Sequence, residues 1–138
     1  MACPFCFEVE PERVVKENEL ARAIICAEPL NGGHVLIFPR RHVEHVSDLT
    51  APESKALFDL VGLIETALPK VYEPTPIVFM NTGNLKTQPH LHIHVLPSKG
   101  GIRHLFSTYE NIPFRLAKPM SELAVLAERI KSEIAEEK

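Results

Sequence analysis

Three histidines at alternate positions, in the run His90-Leu91-His92-Ile93-His94-Val95, form the densest concentration of reactive side chains in this 138-residue chain. On a strand, successive side chains face opposite sides, so His90, His92 and His94 are expected to project from one surface while Leu91, Ile93 and Val95 enter the other. At ~3.3 Å per residue, neighbouring histidines of the set have Cα atoms about 6.6 Å apart and the outer two about 13 Å. Two of them can serve one metal or one phosphate. A single ion holding all three would demand strong curvature, so a division of labour is expected. From the residues alone, a solvated polar strand face and a plain H-x-H metal site both stay open as readings.

A second group of reactive side chains lies at the start of the chain. Cys3 and Cys6 have C-x-x-C spacing and Cys26 stands alone. This odd count suits a reducing compartment and thiolate chemistry better than a disulfide framework. A structural zinc usually takes four ligands, so the cysteine pair is half a site. Two reduced cysteines with a redox or packing role are the alternative. Cys26, inside an apolar run, reads as a buried small hydrophobe.

These residues need a scaffold. Leu20 to Ala27 is dense in apolar and branched residues and favours a strand, and Pro29-Leu30-Asn31-Gly32-Gly33 breaks it. His34 to Phe38 follows as a second strand, stopped by Pro39, giving a hairpin. Thr50-Ala51-Pro52-Glu53 is a capping-box pattern, after which Leu57, Leu60, Val61, Ile64 and Leu68 recur at helical spacing, predicting a helix over roughly 51–68. Pro69, Pro74 and Pro76 end it. Ile77 to Asn81 reads as a strand leading into a turn at Thr82-Gly83-Asn84, and His90 to Leu96 as another that closes at Pro97. Residues 98–118 read as loop. Ser121 to about Glu136 carries Leu123, Leu126, Ile130 and Ile134 at helical spacing and predicts a C-terminal amphipathic helix. Short-turn strands with a capped helix between two of them indicate an α+β domain with a mainly antiparallel sheet.

Composition narrows the function classes. The length suits a single domain, 1–138. A formal charge of −3 lacks the broad positive field of a non-specific nucleic-acid binder, so no nucleic-acid polymer is expected as partner. No run of about 18 apolar residues occurs, and the first residues have neither a basic region nor a long hydrophobic stretch. Membrane spans and secretory signals are therefore not expected, and a cytoplasmic protein is.

The run His90 to Leu96 matches, at every position, the His-φ-His-φ-His-φ-φ signature (φ apolar) of the histidine-triad superfamily. Gly33-His34-Val35-Leu36-Ile37-Phe38-Pro39-Arg40-Arg41-His42 resembles that family's companion G-H-x-L-V-I-P-K-x-H segment, and Asn81-Thr82-Gly83 resembles the asparagine and glycine preceding the triad. The resemblance spans about residues 3–97 and is nearest to the zinc-containing Hint/Fhit-like branch. It implies a five-stranded, mainly antiparallel sheet with one long central helix and a C-terminal helix, a homodimer, and a purine nucleotide as the favoured small-molecule substrate. It also implies the reaction: the middle histidine, His92, attacks the α-phosphorus and gives a nucleotidyl-histidine that water or another acceptor resolves. Imidazole, with a pKa of ~6.5, is largely neutral and nucleophilic at pH 7, and a covalent intermediate divides a very slow displacement into two easier ones. His94, if protonated, would hold a phosphoryl oxygen and assist the leaving group. His34, Asn81 and Thr87 fall at nucleotide-contacting positions, and Gln88, displaced by two from the usual glutamine position held here by Lys86, is a further candidate contact. A zinc-stabilised binding module without turnover, and a catalytic metal centre at the triad, are the rival functions.

In the zinc-containing members, and in the related galactose-1-phosphate uridylyltransferases, the cysteine pair is completed by the histidine ending the P-x-x-H segment and by the first motif histidine. The resemblance therefore implies a structural zinc on Cys3, Cys6, His42 and His90, with His45 as a competitor. Two departures stand out. Cys26 occupies the place of a ribose-contacting acid, with Glu28 nearby, and Leu85-Lys86-Thr87-Gln88-Pro89 replaces the usual G-Q-S/T-V-x, keeping a hydroxyl at Thr87 but moving the glutamine to Gln88. Ribose recognition and the choice of leaving group are thus left open.

Overall fold

The computed structural model describes residues 3, 5, 6, 9–27, 29, 32–73, 76–82, 89–98, 100–111 and 118–134. The chain forms two compact units, Met1–Ile102 and Arg103–Lys138. The first is built on a five-stranded sheet in the order β1-β2-β3-β5-β4. Its strands are β1 (Val14–Glu17), β2 (Ala21–Ile25), β3 (Val35–Pro39), β4 (Pro76–Asn81) and β5 (His92–Pro97), and every neighbouring pair is antiparallel. The expected hairpin is β2–β3, with Ala21 opposite Pro39 and Ile25 opposite Val35.

Helix α1 (Ala51–Ala67) lies in the connection from β3 to β4. It begins where the capping box put it: the Glu53 amide donates to the Thr50 hydroxyl at 3.2 Å and the Thr50 amide to the Glu53 carboxylate at 2.9 Å. Leu57, Leu60, Val61, Ile64 and, just beyond the helix, Leu68 are all buried as the 3.6-residue period demands. They meet Ala21, Ala23, Val35, Ile37, Ile93 and Val95 from one face of the sheet. At ~1.5–3 kcal/mol for each fully buried large aliphatic side chain, this aliphatic layer is the main source of the unit's stability.

The opposite face packs against the N-terminal segment. The Cys3 to Cys6 turn, with the Cys6 amide on the Cys3 carbonyl at 3.2 Å, folds over Ile24, Leu36 and Phe38. Phe5 stacks on Phe38 with centroids 4.4 Å apart.

Two expectations change, and one element is new. The polar stretch before Leu20, which the sequence assigns to no element, contains β1, which pairs with β2 across an irregularity between Val14 and Lys16. Its burial pattern is that of an edge strand with little apolar surface to reveal it. Strand β5 starts at His92, not His90. Residues 101–110, expected as loop, form α2 (Gly101–Glu110), entered through Gly101 at φ 71°, a conformation glycine adopts at no steric cost. In the second unit, α3 (Met120–Glu133) confirms the C-terminal helix, and none of its residues is buried.

Candidate active site and metal cluster

The histidines divide into two groups because β5 starts late. His90 lies two residues before the strand, where the Leu91 amide donates to the Val43 carbonyl at 2.7 Å and ties this segment to the one carrying His42. Its Nε2–H donates to the Pro39 carbonyl at 2.8 Å, which directs the Nδ1 lone pair at the thiols: 3.3 Å to Cys3 Sγ and 3.4 Å to Cys6 Sγ. His42 Nδ1 lies 3.1 Å from Cys6 Sγ. One donor atom from each of Cys3, Cys6, His42 and His90 falls within 4.8 Å of the others. A tetrahedral ion with bonds of ~2.3 Å to sulfur and ~2.0–2.1 Å to nitrogen sets S···N edges near 3.5 Å, so the cluster needs only a slight expansion to close on a metal.

The surroundings of the cluster suit a ligand set. Burial holds His90 down to about 4, hence neutral with a lone pair to give. Burial and the neighbouring Cys3 push the Cys6 thiol up to about 11, so without a cation it keeps its proton. Glu44 approaches His42 Nε2 at 3.7 Å, the kind of carboxylate partner that orients a ligating imidazole.

The second group is His34, His92 and His94. His92 Nδ1–H donates to the His90 carbonyl at 2.8 Å, which fixes the tautomer with the lone pair on Nε2. Burial lowers its pKa, so the ring is neutral at pH 7. His34 Nε2 and His94 Nδ1 are 2.8 Å apart and share a proton. His94 is held down to about 4, by burial first and then by His92 and His34, and burial lowers His34 as well. The His92 and His94 rings meet edge to face with centroids 4.8 Å apart.

The alternation predicts three imidazoles on one surface of the sheet, without saying how deeply they lie. His90 and His92 are buried, His92 at 1 % exposure, and only His94 is partly exposed. The cause is the Cys3 to Cys6 turn: Phe5 sets its edge against both His90 and His92, at 5.8 and 5.4 Å between centroids. Asn81, on β4, stands directly opposite His92, so the amide and the central histidine are cross-strand partners. His34 ends the β2–β3 connection, and its carbonyl accepts from the Cys26 amide at 3.0 Å. Cys26 is half-buried against the Phe5 and Phe38 cluster rather than fully buried. His45 is not part of the four-residue cluster. Thr87, Gln88, Glu28 and Lys86 lie outside the described residues.

Four contributors escaped the sequence reading. Phe5 lies inside the C-x-x-C spacing and Phe38 at the end of an apolar strand, where nothing local marks either for the site. Phe79 stacks on His94. Arg41 clamps Glu53 through two hydrogen bonds, 3.0 and 2.8 Å, and donates to the Asp48 carbonyl at 2.8 Å, fixing the segment next to His42. Phe79 had a usable signal: it lies two residues before Asn81, hence on the same face of β4.

Residues 8–101 match the family model for the HIT domain, and the chain belongs to the HIT domain family. Among its relatives, the bifunctional bis(5'-adenosyl)-triphosphatase/adenylylsulfatase FHIT of Arabidopsis thaliana is 32% identical over 98 residues, which cover 69% of this chain and 54% of that protein. The asymmetrical bis(5'-nucleosyl)-tetraphosphatase of Schizosaccharomyces pombe is 30% identical over 92 residues, covering 63% and 50%. The chain thus spans about half the length of these two curated relatives. In structure it is similar to a HIT family protein from Bacillus subtilis, with a TM-score of 0.71 at 22% identity, covering 99% of this chain and 100% of that one. That likeness establishes the α+β fold.

Proposed function

We propose that this protein is a nucleotide hydrolase or nucleotidyl transferase that works through a covalent nucleotidyl-His92 intermediate. The observation that carries the reading is the His92 Nδ1–H bond to the His90 carbonyl, which commits the Nε2 lone pair to attack, beside a proton-sharing His34–His94 pair. The names of the two relatives favour a dinucleoside polyphosphate, whose α-phosphate bears a phosphoanhydride leaving group.

Before nucleotide binds, all three imidazoles are neutral at pH 7, their pKa values lowered by burial. A bound phosphate supplies the negative charge that draws a proton onto the His34–His94 pair. His94, the partly exposed member, then holds phosphoryl oxygen and protonates the leaving group, while His92 forms the bond to phosphorus. Asn81, opposite His92, donates to phosphate as charge develops. Thr87 and Gln88 complete the nucleotide contacts in this reading, and a purine base is favoured.

Cys3, Cys6, His42 and His90 fit a structural zinc, which would supply cross-linking of the N-terminal turn to the β3 and β5 segments. His90 belongs to both groups, as a ligand through Nδ1 and as the acceptor for His92 through its carbonyl, so metal loss should loosen the nucleophile without removing it. Titrating metal-free protein with zinc should bind one ion per chain and release protons, because Cys6 carries its proton at pH 7 without a cation. Uptake without proton release would remove Cys6 from the ligand set. The 138 residues are taken as a single HIT-like domain of a cytoplasmic homodimer. Among the described residues no helix is long and apolar enough to cross a membrane.

The decisive experiment is incubation with diadenosine polyphosphates and an adenosine phosphoramidate, with mass spectrometry of both product and protein. Wild-type protein should carry a transient nucleotidyl adduct at His92. The second reading, a binding module without turnover, rests on the 1 % exposure of His92. Tight nucleotide binding with neither product nor adduct would establish that reading in place of the first.

A further inference from the structure

The His94 ring is held on three sides. His34 takes its Nδ1 at 2.8 Å, His92 meets it edge to face, and Phe79 lies flat beneath it, with centroids 4.5 Å apart and ring planes 11° from parallel. Phe79 is its cross-strand partner on β4, as Asn81 is the partner of His92 two residues on, so the edge strand supplies one side chain to each of the two histidines. A neighbouring aliphatic residue would bury His94 equally well. An aromatic face does two further things. It restricts rotation of the imidazole about its terminal torsion, which is broad and nearly two-fold when unconstrained, and its negative π face attracts a cationic ring.

We propose that Phe79 is a positioning residue for leaving-group protonation: by stacking on His94 it keeps Nδ1 on His34 and presents Nε2 to the substrate, and it favours the imidazolium that the step requires. This rests on the reading of His92 as nucleophile. In that step the His92 Nε2 lone pair forms a bond to the α-phosphorus as the bond from phosphorus to the leaving atom breaks. The electron pair of the broken bond takes the proton from His94 Nε2, and His94 is left neutral. The groups facing His94 that titrate are His34 and His92, both imidazoles, so no carboxylate in the described contacts substitutes for the ring face.

The inference predicts a dependence on the leaving group that a merely structural residue would not produce. An alkylamine leaving an AMP amide needs a proton, whereas p-nitrophenolate leaving the p-nitrophenyl ester of AMP does not. Phe79→Leu should lower kcat/KM on the amide about tenfold or more, a fraction of the ~10²–10⁴ that a general acid contributes, while the aryl ester stays within about threefold. Phe79→Tyr, which keeps the ring, should restore the amide rate. Should the leucine variant unfold, Phe79→Met keeps much of the volume without the ring and carries the same expectation. Equal losses on both substrates, or no loss on the amide, would overturn the role of Phe79 while leaving the nucleophile intact. Wild-type protein that turns over neither substrate, or a His92→Ala variant that turns over both, would overturn the nucleophile reading and this inference together.

Discussion

On one face of the sheet, Ala21, Ala23, Val35, Ile37, Ile93 and Val95 meet a long helix through aliphatic side chains alone. On the other, Ile24, Leu36 and Phe38 meet a short turn of chain bearing Phe5 and two cysteines, and the same face carries His90, His92 and His94. Among the described residues, the buried cluster of the first face is made of aliphatic side chains, with Glu53 at the N-terminus of α1 as its buried charge. The second buries imidazoles whose pKa values are pushed down, and that shift is itself a folding cost, because the unfolded chain would hold those rings in water. The contrast teaches that β5 is a shared wall: its Ile93 and Val95 anchor the sheet to α1, and its His92 and His94 carry the imidazoles on the other side. Rigidity comes from the aliphatic side, which lets the reactive side hold polar groups that would otherwise weaken the fold.

If the two faces divide stability from chemistry, substitutions on each should register in different measurements. The largest effect belongs to His92→Ala, which should cut turnover by about 10³-fold or more, equivalent to about 4 kcal/mol of transition-state stabilisation, with nucleotide binding retained. Thermal unfolding of that variant should be unchanged or slightly raised, since a desolvated imidazole is removed. A large fall in stability with full activity per folded molecule would break the division. Next comes Leu57→Ala on α1, completely buried against the opposite face. It should cost about 2–5 kcal/mol in denaturant unfolding while leaving kcat of the folded fraction within a factor of a few.

A third substitution tests where the faces meet. A methyl group on Gly33 would lie 2.8 Å from the Pro97 ring and 3.0 Å from the Tyr72 ring, and Tyr72 is already tied to the Gly32 carbonyl by its hydroxyl at 2.9 Å. Gly33→Ala must therefore shift the end of β5 or the residue that follows it, His34. We expect about 1–3 kcal/mol of destabilisation together with a loss of activity, a mixed signature that neither face alone gives. Unaltered kinetics would show that the His34–His94 pair tolerates movement of its own turn.

Much of this was legible in the residues. Alternation in the histidine run, the capping box and the 3.6-residue period of α1 are local patterns whose geometry follows from backbone repeat alone, and each found its place. The separation of His90 from His94 was also readable, since the outer pair is too far apart on a strand for a single ion. What escaped depended on distant chain. Nothing local to His90 says that the strand begins two residues later, because that is decided by pairing of Leu91 with Val43. The burial of His92 depends on Phe5, eighty-seven residues away in sequence, and a C-x-x-C motif read for its cysteines hides the aromatic between them. β1 is an edge strand whose polar composition matches a loop, and Arg41 reads as one more surface charge until Glu53 is found beside it.

That clamp gives the smallest expected effect and separates the two faces by pH. In the metal-free chain His90 and His94 titrate near 4 instead of 6.5, so as pH falls from about 6.5 to about 4 the unfolded state takes up protons that the folded state refuses, and stability declines. Glu53 acts in a lower window. Arg41 chiefly, with the Thr50 cap, holds it down to about 2 against an ordinary 4.5, so its contribution is complete above about 4.5 and is lost as pH drops toward 2. Glu53→Gln keeps the shape of the cap but not its charge, and should lower stability at pH 7 by about 1–2 kcal/mol. Its acid-unfolding profile should keep the decline between 6.5 and 4, which belongs to the histidine face, and flatten below 4.5, where α1 answers. A variant that lost the upper decline instead would mean that the clamp beside His42, and not burial, controls the imidazoles.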